Sequence, residues 1–192
     1  MRYFLSLGSN VGQRRRNLAR AVEALELAGV AVLRTSSLYR TEPVDGGGPE
    51  WFYNLAAEVS VPIGPEEMLD LVKGIERRLG RRTEKSGRLR SIDIDVLLAE
   101  NQVIRSKRLT VPHPRLAQRN FVLVPLAEIS PETVHPVLKK KIKELRAMSR
   151  DRSVVMKLSS PLRHASVARR TAGAKVHDKN RVGRKITRVE ER

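Results

Sequence analysis

In the stretch Arg90-Ser91-Ile92-Asp93-Ile94-Asp95-Val96-Leu97-Leu98, two carboxylates stand two residues apart inside an aliphatic run. Ile92, Ile94, Val96 and Leu98 alternate with Asp93, Asp95 and Leu97, the period-2 pattern of a half-buried strand. Positions i and i+2 of a strand share a face, so the carboxylates lie side by side, their backbone positions about 7 Å apart. Two such anions repel unless a cation lies between them. Mg²⁺ takes one or two carboxylates and fills its shell with water and substrate phosphate oxygens, so one reading is phosphate-bound metal chemistry. A strand with a solvated acidic face is the other.

The flanking segments bear on that choice. Arg81-Arg82-Thr83-Glu84-Lys85-Ser86-Gly87-Arg88-Leu89-Arg90 is a basic connector running straight into the acidic strand. A solvated charge run is the common meaning, but polyphosphate binding needs both arginines for phosphate oxygens and acids for a bridging metal. Downstream, Arg108-Leu109-Thr110-Val111-Pro112-His113-Pro114-Arg115-Leu116 places His113 between two prolines that fix its backbone. Arg108, Arg115 and Arg119 surround this histidine with positive charge and push it toward neutrality. It could then hydrogen-bond a phosphate or a base, or serve only as a structural histidine. Lys73, Glu76 and Arg77 fall within one turn of a helix, as a surface ion pair or a shared polar site.

The elements that must carry these residues are legible from their periodicities. Arg2 to Ser6 reads as an apolar strand ending in the turn Leu7-Gly8-Ser9-Asn10, whose N–H groups could attract an anion near the following helix, or which is merely a turn. Leu18, Ala21, Val22, Leu25 and Ala28 then recur at helical spacing up to Gly29. A second strand is expected within 30–40. Glu42-Pro43-Val44-Asp45-Gly46-Gly47-Gly48-Pro49-Glu50 cannot hold regular structure; it reads as a mobile lid or a plain linker, and lacks the Gly-Lys-Ser/Thr ending of a P-loop. Trp51-Phe52-Tyr53 opens a strand expected over 54–61, its rings either entering the core or stacking on a flat heterocycle. Pro65 and the acids Glu66 and Glu67 open a helix that Gly80 ends. A turn and a short strand are expected over 101–106, and Phe121 to Leu126 is apolar enough for core.

The chain has 192 residues, a net charge of +17 and no cysteine. The length suits one ordinary domain with some surplus. Disulfides and thiolate chemistry are excluded, and four scattered histidines suggest no metal cluster. There is no apolar run of about 20 residues and no secretory order at the N-terminus, so a cytoplasmic protein without membrane contact is expected. Residues 1–138 carry 20 Lys+Arg against 16 Asp+Glu, whereas residues 139–192 carry 18 against 5. The basicity therefore sits mostly in the tail, where it favours nucleic acid or another anionic surface.

Taken together, Leu7-Gly8-Ser9-Asn10, Tyr39-Arg40-Thr41-Glu42-Pro43, Asn54, Arg90-Ser91-Ile92-Asp93-Ile94-Asp95 and Arg108 to Arg115 resemble the hydroxymethyl-dihydropterin pyrophosphokinase family. The order and spacing match over residues 1–138, ending with His135-Pro136-Val137-Leu138. The resemblance implies an α+β fold of ferredoxin-like type, an antiparallel sheet with helices packed on it and mobile loops over the active-site cleft. It implies transfer of the β,γ-pyrophosphoryl group of ATP to the hydroxymethyl oxygen of 6-hydroxymethyl-7,8-dihydropterin, a step of folate biosynthesis that releases AMP. Two ATP-bound Mg²⁺ ions would fall on Asp93 and Asp95, with Arg90 and Arg119 completing the catalytic set. Lys73, Glu76, Arg81, Arg108, Thr110 and His113 take ATP-binding positions. Phe52 and Phe121 would sandwich the pterin, Asn54 would bond its edge, and Thr41, Pro43 and Val44 would offer backbone contacts. The loop 44–49 and the connector 82–89 would close over the substrates and exclude water. The family's usual Trp and Gly-Pro before the arginine are replaced here by Gly87-Arg88-Leu89, and the connector is about one residue short, leaving Arg82 and Arg88 as candidates only.

Residues 139–158 are expected to add one helix through Ile142, Leu145 and Met148, and 159–192 to form a basic, disordered tail. That tail could make nonspecific nucleic-acid contacts or have no partner. A monomer is expected. Two other classes fit less well. An RNA-binding module lacks its aromatic strand motif, and a nucleotidyltransferase would place its acids close behind Gly8-Ser9 rather than more than eighty residues later.

Overall fold

A computed structural model describes residues 1–43, 50–80, 89–159 and 162. Along the chain run β1 (Arg2–Ser9), α1 (Arg14–Leu27), β2 (Ala31–Thr35), β3 (Tyr39–Thr41), β4 (Phe52–Ser60), α2 (Pro65–Arg78) and β5 (Asp93–Ala99). After them come β6 (Ile104–Arg105), β7 (Thr110–Val111), α3 (Asn120–Ile129), α4 (Ile142–Met148) and β8 (Val155–Lys157). The main sheet has the order β5-β1-β4-β3-β8, with β2 also on β4, and every pairing is antiparallel. With α1 between β1 and β2 and α2 between β4 and β5, this is the α+β, ferredoxin-like arrangement that the resemblance implied.

Both faces of the sheet are covered. Leu18, Ala21, Val22 and Leu25 of α1 and Met68, Val72 and Ile75 of α2 bury their helical stripes against Tyr3, Leu5, Leu7, Leu55, Ala57, Val59, Ile94 and Val96. Each fully buried Leu or Ile there contributes about 1.5–3 kcal/mol. On the other face Phe4, Ala56 and Leu97 meet Val122, Leu123 and Leu126 of α3 and Ile142 and Leu145 of α4. Helix α2 is bounded as its sequence requires: Pro65 opens it, Glu67 accepts the Gly64 N–H at 2.7 Å, and Gly80 at φ +83° ends it.

Several elements differ from their expected form. The first strand does not stop at Ser6 but runs through Gly8 and Ser9, because β4 and β5 both pair with that end, Gly8 lying opposite Asn54 and Asp93. The stretch 30–40 holds two strands rather than one. Thr35 opposes Ala57 while Tyr39 opposes Asn54, so four steps on one strand match three on β4 and a residue must bulge out. Ser36 Oγ fills the gap by accepting the Ala56 N–H at 2.9 Å. Phe121 to Leu126 is buried as expected, but as part of α3. Residues 139–158 contain α4 and, beyond it, β8, an unexpected strand that pairs with β3. The loop 44–49, with Val44, and the connector 81–88, with Arg81, Arg82 and Arg88, lie outside the described residues.

Candidate active site

The polar residues of the second face form a strip at one end of the sheet. Directly opposed residues point the same way, so the pairings Asp93–Gly8–Asn54–Tyr39 and Asp95–Ser6–Ala56 set two rows across neighbouring strands. Asn54 Nδ2 donates to Thr41 Oγ1 at 2.6 Å, and both residues are buried. Gly8 is required beneath them, because a Cβ there would stand 2.6 Å from Asn54 Oδ1 and 3.9 Å from the Phe52 ring. Phe52 and Pro43 are half-buried. The Gly-Ser-Asn motif is therefore no anion-binding turn. Gly8 is a floor, the buried Ser9 accepts from Asn17, and Asn10 holds Arg90, giving its N–H to the Arg90 carbonyl at 3.1 Å while its Oδ1 accepts the Arg90 N–H at 2.7 Å.

Strand β5 is an edge strand, and Ile94 on its free edge has both backbone groups satisfied by side chains, as buried backbone groups must be paired. The Ile94 N–H donates to Glu76 Oε1 at 2.6 Å, and Lys73 Nζ donates to the Ile94 carbonyl at 3.1 Å and to Glu76 at 2.8 Å. Glu76 is almost wholly buried, so the Lys73–Glu76 pair is no surface ion pair; it joins α2 to the acidic strand. Lys73 Nζ also lies 4.0 Å from Asp95 Oδ1.

A second irregularity brings in His113. Phe4 opposes Leu98 but Leu5 opposes Val96, so Leu97 bulges out of β5, and its carbonyl accepts the His113 N–H at 2.9 Å. His113 Nδ1 accepts the Arg115 N–H at 3.2 Å, which leaves the Nε2 proton as the donor of the neutral ring. Its pKa is held below the usual histidine value, chiefly by burial; Arg119 and Arg115 add to the effect, and Asp95 and Asp93 oppose it. The expected neutrality is thus present, with burial rather than the arginines as its main cause.

The remaining expected residues take these places. Arg90 is ion-paired with Asp93. The Arg119 guanidinium sits 5.4 Å from the Phe121 ring centroid at the start of α3. Arg108 turns toward α2, pairing with Asp70 and, at 3.7 Å, with Glu66, and Thr110 is exposed on β7. Of the aromatic triplet, Tyr53 packs on the first core beneath Arg14, and Trp51 lies under Arg40 at 4.5 Å. Only Phe52 points into the strip. Sequence reasoning missed the floor role of Gly8 and the carboxylate of Asp151, which accepts the Asn120 N–H at the start of α3; no local signal marks either.

Asp93 and Asp95 offer hard oxygen donors on one face. Among the described residues no group of three or more His, Asp or Glu could hold a metal alone. That donor set suits Mg²⁺, which keeps waters and takes substrate phosphate oxygens, better than an ion needing an all-protein cage.

Fold and strip together define a class: an antiparallel α+β domain with carboxylates and arginines gathered at one end of the sheet. A sequence model of the family 7,8-dihydro-6-hydroxymethylpterin-pyrophosphokinase (HPPK) matches residues 4–131, and the chain belongs to this family of pyrophosphokinases of folate synthesis. It is 42% identical over 127 residues to a 2-amino-4-hydroxy-6-hydroxymethyldihydropteridine pyrophosphokinase of Bacillus subtilis, covering 66% of this chain and 76% of that one. A protein of the same name from Aquifex aeolicus is 36% identical over 143 residues, 74% of this chain and 89% of its own. Longer relatives exist. The chain matches a folic acid synthesis protein of Pneumocystis carinii at 39% identity over 134 residues, 70% of this chain and only 18% of that protein. Among solved structures, wild-type HPPK-DHPS of Plasmodium falciparum with pteroate shares the fold with a TM-score of 0.62 at 17% identity, over 76% of this chain and 44% of that one.

Proposed function

We propose that this chain transfers the β,γ-pyrophosphoryl group of ATP to 6-hydroxymethyl-7,8-dihydropterin. The hydroxymethyl oxygen bonds to the β-phosphorus, the bond from that phosphorus to the oxygen shared with the α-phosphate breaks, and AMP leaves with the electron pair. The hydroxyl proton goes to solvent. One observation carries this reading: the carboxylates of Asp93 and Asp95 share a face of the sheet with Asn54, Thr41 and Phe52. A place for polyphosphate thus adjoins a place for a flat heterocycle.

Asp93 and Asp95 would hold two Mg²⁺ ions, which supply charge neutralisation along the triphosphate when bound. Arg90, anchored by Asn10 and paired with Asp93, adds positive charge beside them. The neutral His113 presents Nε2–H to a phosphate oxygen, and Arg119 stands at the transferred group. Lys73 and Glu76 hold β5 in place and offer the nucleotide a polar edge; Arg108 and Thr110 contribute to the same side. Phe52 and Phe121 flank the pterin, whose edge meets Asn54, with Thr41 and Pro43 contributing backbone contacts. Neither aspartate need accept the proton, because positioning and charge neutralisation supply most of the rate in phosphoryl transfer.

The test is incubation of the purified protein with ATP, Mg²⁺ and 6-hydroxymethyl-7,8-dihydropterin. AMP and the pterin diphosphate should form in equal amounts, and no AMP above the pterin-free control would overturn the reading. A monomeric, cytoplasmic enzyme belongs to the same proposal; no helix among the described residues is long and apolar enough to cross a membrane. Residues 160–192, with ten Lys+Arg against three Asp+Glu, are available for nonspecific phosphate contact. RNA retention that is equal in the full chain and in one ending at Ser159 would argue against it.

A further inference from the structure

Helix α3 carries Arg119 and Phe121 at its start, yet it has no cap of its own: Arg119 occupies the N-cap position and its side chain accepts nothing from the first turn. The missing acceptor comes from far along the chain. Asp151 Oδ2 accepts the Asn120 N–H at 2.6 Å, and the Asp151 carbonyl accepts from the Asn120 Nδ2 at 2.7 Å. The other carboxylate oxygen, Oδ1, accepts the Ser153 N–H at 2.8 Å, which fixes the carboxylate from its own side. Three residues after Asp151, the same segment grips the opposite border of the strip. The Val154 N–H donates to Glu42 Oε2 at 2.7 Å, the Glu42 N–H donates to the Val154 carbonyl at 3.1 Å, and Val155 pairs with Thr41. One short segment, beyond residues 4–131 that match the family, therefore clasps both Asn120 at the start of α3 and Thr41-Glu42 at the end of β3.

We infer that Asp151 is a positioning residue for the pterin side of the site, holding the first turn of α3 so that Arg119 and Phe121 keep their place opposite Thr41 and Asn54. The inference rests on the site reading given above. Burial alone would raise the Asp151 pKa, but hydrogen bonds from Ser153 and Asn120, with the charge of Arg119, outweigh it and keep the carboxyl below its usual range. An ionised carboxylate thus stands at the positive end of α3, where it stabilises the helix start. A cap that served stability alone would affect melting and leave the kinetic constants of the folded enzyme untouched. A positioning residue that acts through Arg119 and Phe121 must change turnover and the KM for the pterin in the folded enzyme.

The experiment is steady-state kinetics on the full chain for wild type, Asp151→Ala and Asp151→Asn, each with and without Arg119→Ala, together with hydrogen exchange at the Asn120 amide. Asp151→Ala should lose about tenfold or more in kcat/KM for the pterin, with the KM for ATP within about twofold. Asp151→Asn keeps an acceptor oxygen for the Asn120 N–H and should recover most of that loss; it also serves as the readout if Asp151→Ala does not fold. On the Arg119→Ala background, the further effect should shrink to under about twofold, because part of the path is already gone. Unchanged kcat and unchanged KM for the pterin in a folded variant whose Asn120 amide has lost protection would overturn the inference. A wild type without turnover would instead overturn the site reading and, with it, this inference.

Discussion

The two faces of the sheet are built from the same strands and do opposite things. Against α1 and α2 the strands present a largely apolar surface, with Tyr3, Leu5, Leu7, Leu55, Ala57, Val59, Ile94 and Val96 all buried. Against α3 and α4 the apolar surface of Phe4, Ala56 and Leu97 covers only part of the face; at its border stand Ser6, Gly8, Asn54, Thr41, Asp93 and Asp95. Because alternate residues of a strand point to opposite sides, one set can be chosen for stability and its neighbours for chemistry. Ile94 lies between Asp93 and Asp95, so a single strand anchors the core and carries the acids.

That contrast can be broken in order of expected effect. Asp95→Ala on the polar face should lower turnover by about a thousandfold or more while leaving the thermal midpoint within a few degrees, as paired rate and melting measurements would show. Leu5→Ala on the apolar face should do the reverse. Urea unfolding should show a loss of about 2–5 kcal/mol, with kcat of the folded protein within about twofold of wild type. Gly8→Ala tests both faces at their meeting point, since its Cβ would press on Asn54 Oδ1. It should cost about 1–3 kcal/mol and raise the KM for the pterin more than that for ATP; equal changes in both would separate Gly8 from the pterin side.

The smallest effect lies away from both faces. His135, in the turn between α3 and α4, has its pKa lowered by burial, and its Nδ1 accepts the N–H groups of Val137 at 3.3 Å and Leu138 at 3.2 Å. The folded state resists its protonation, so the stability it contributes is complete above the unfolded histidine value of about 6.5. It is lost as pH falls below that value toward the lowered folded one. His135→Asn, which keeps an acceptor without the titration, should flatten that part of the stability–pH curve while leaving turnover at neutral pH unchanged.

These residues also explain what could be read from the chain alone. The alternation of Ile92 to Leu98 is a local pattern, so strand β5 and its shared carboxylate face were legible, as were α1 and α2 from their apolar spacing and glycine stops. Gly8-Ser9-Asn10 misled because its composition favours a turn, whereas its extended form is imposed by pairing with both β4 and β5. The bulges at 36–38 and at Leu97 depend on register between distant strands, and no window of sequence contains them. Phe121 to Leu126 was recognisable as buried, but an apolar run that short does not distinguish helix from strand. Asp151 and β8 were least legible: a lone aspartate and three strand residues at the edge of a basic segment acquire meaning only where they meet Asn120 and Thr41.

The most direct measurement follows the label from ATP carrying radioactive phosphorus at the γ position. With wild type and 6-hydroxymethyl-7,8-dihydropterin, all transferred label should appear in the pterin diphosphate, with one unlabelled AMP released per label transferred, and Asp95→Ala should abolish both. Release of ADP, or of labelled phosphate without a pterin product, would contradict the assignment of the polar strip as a site of pyrophosphoryl transfer.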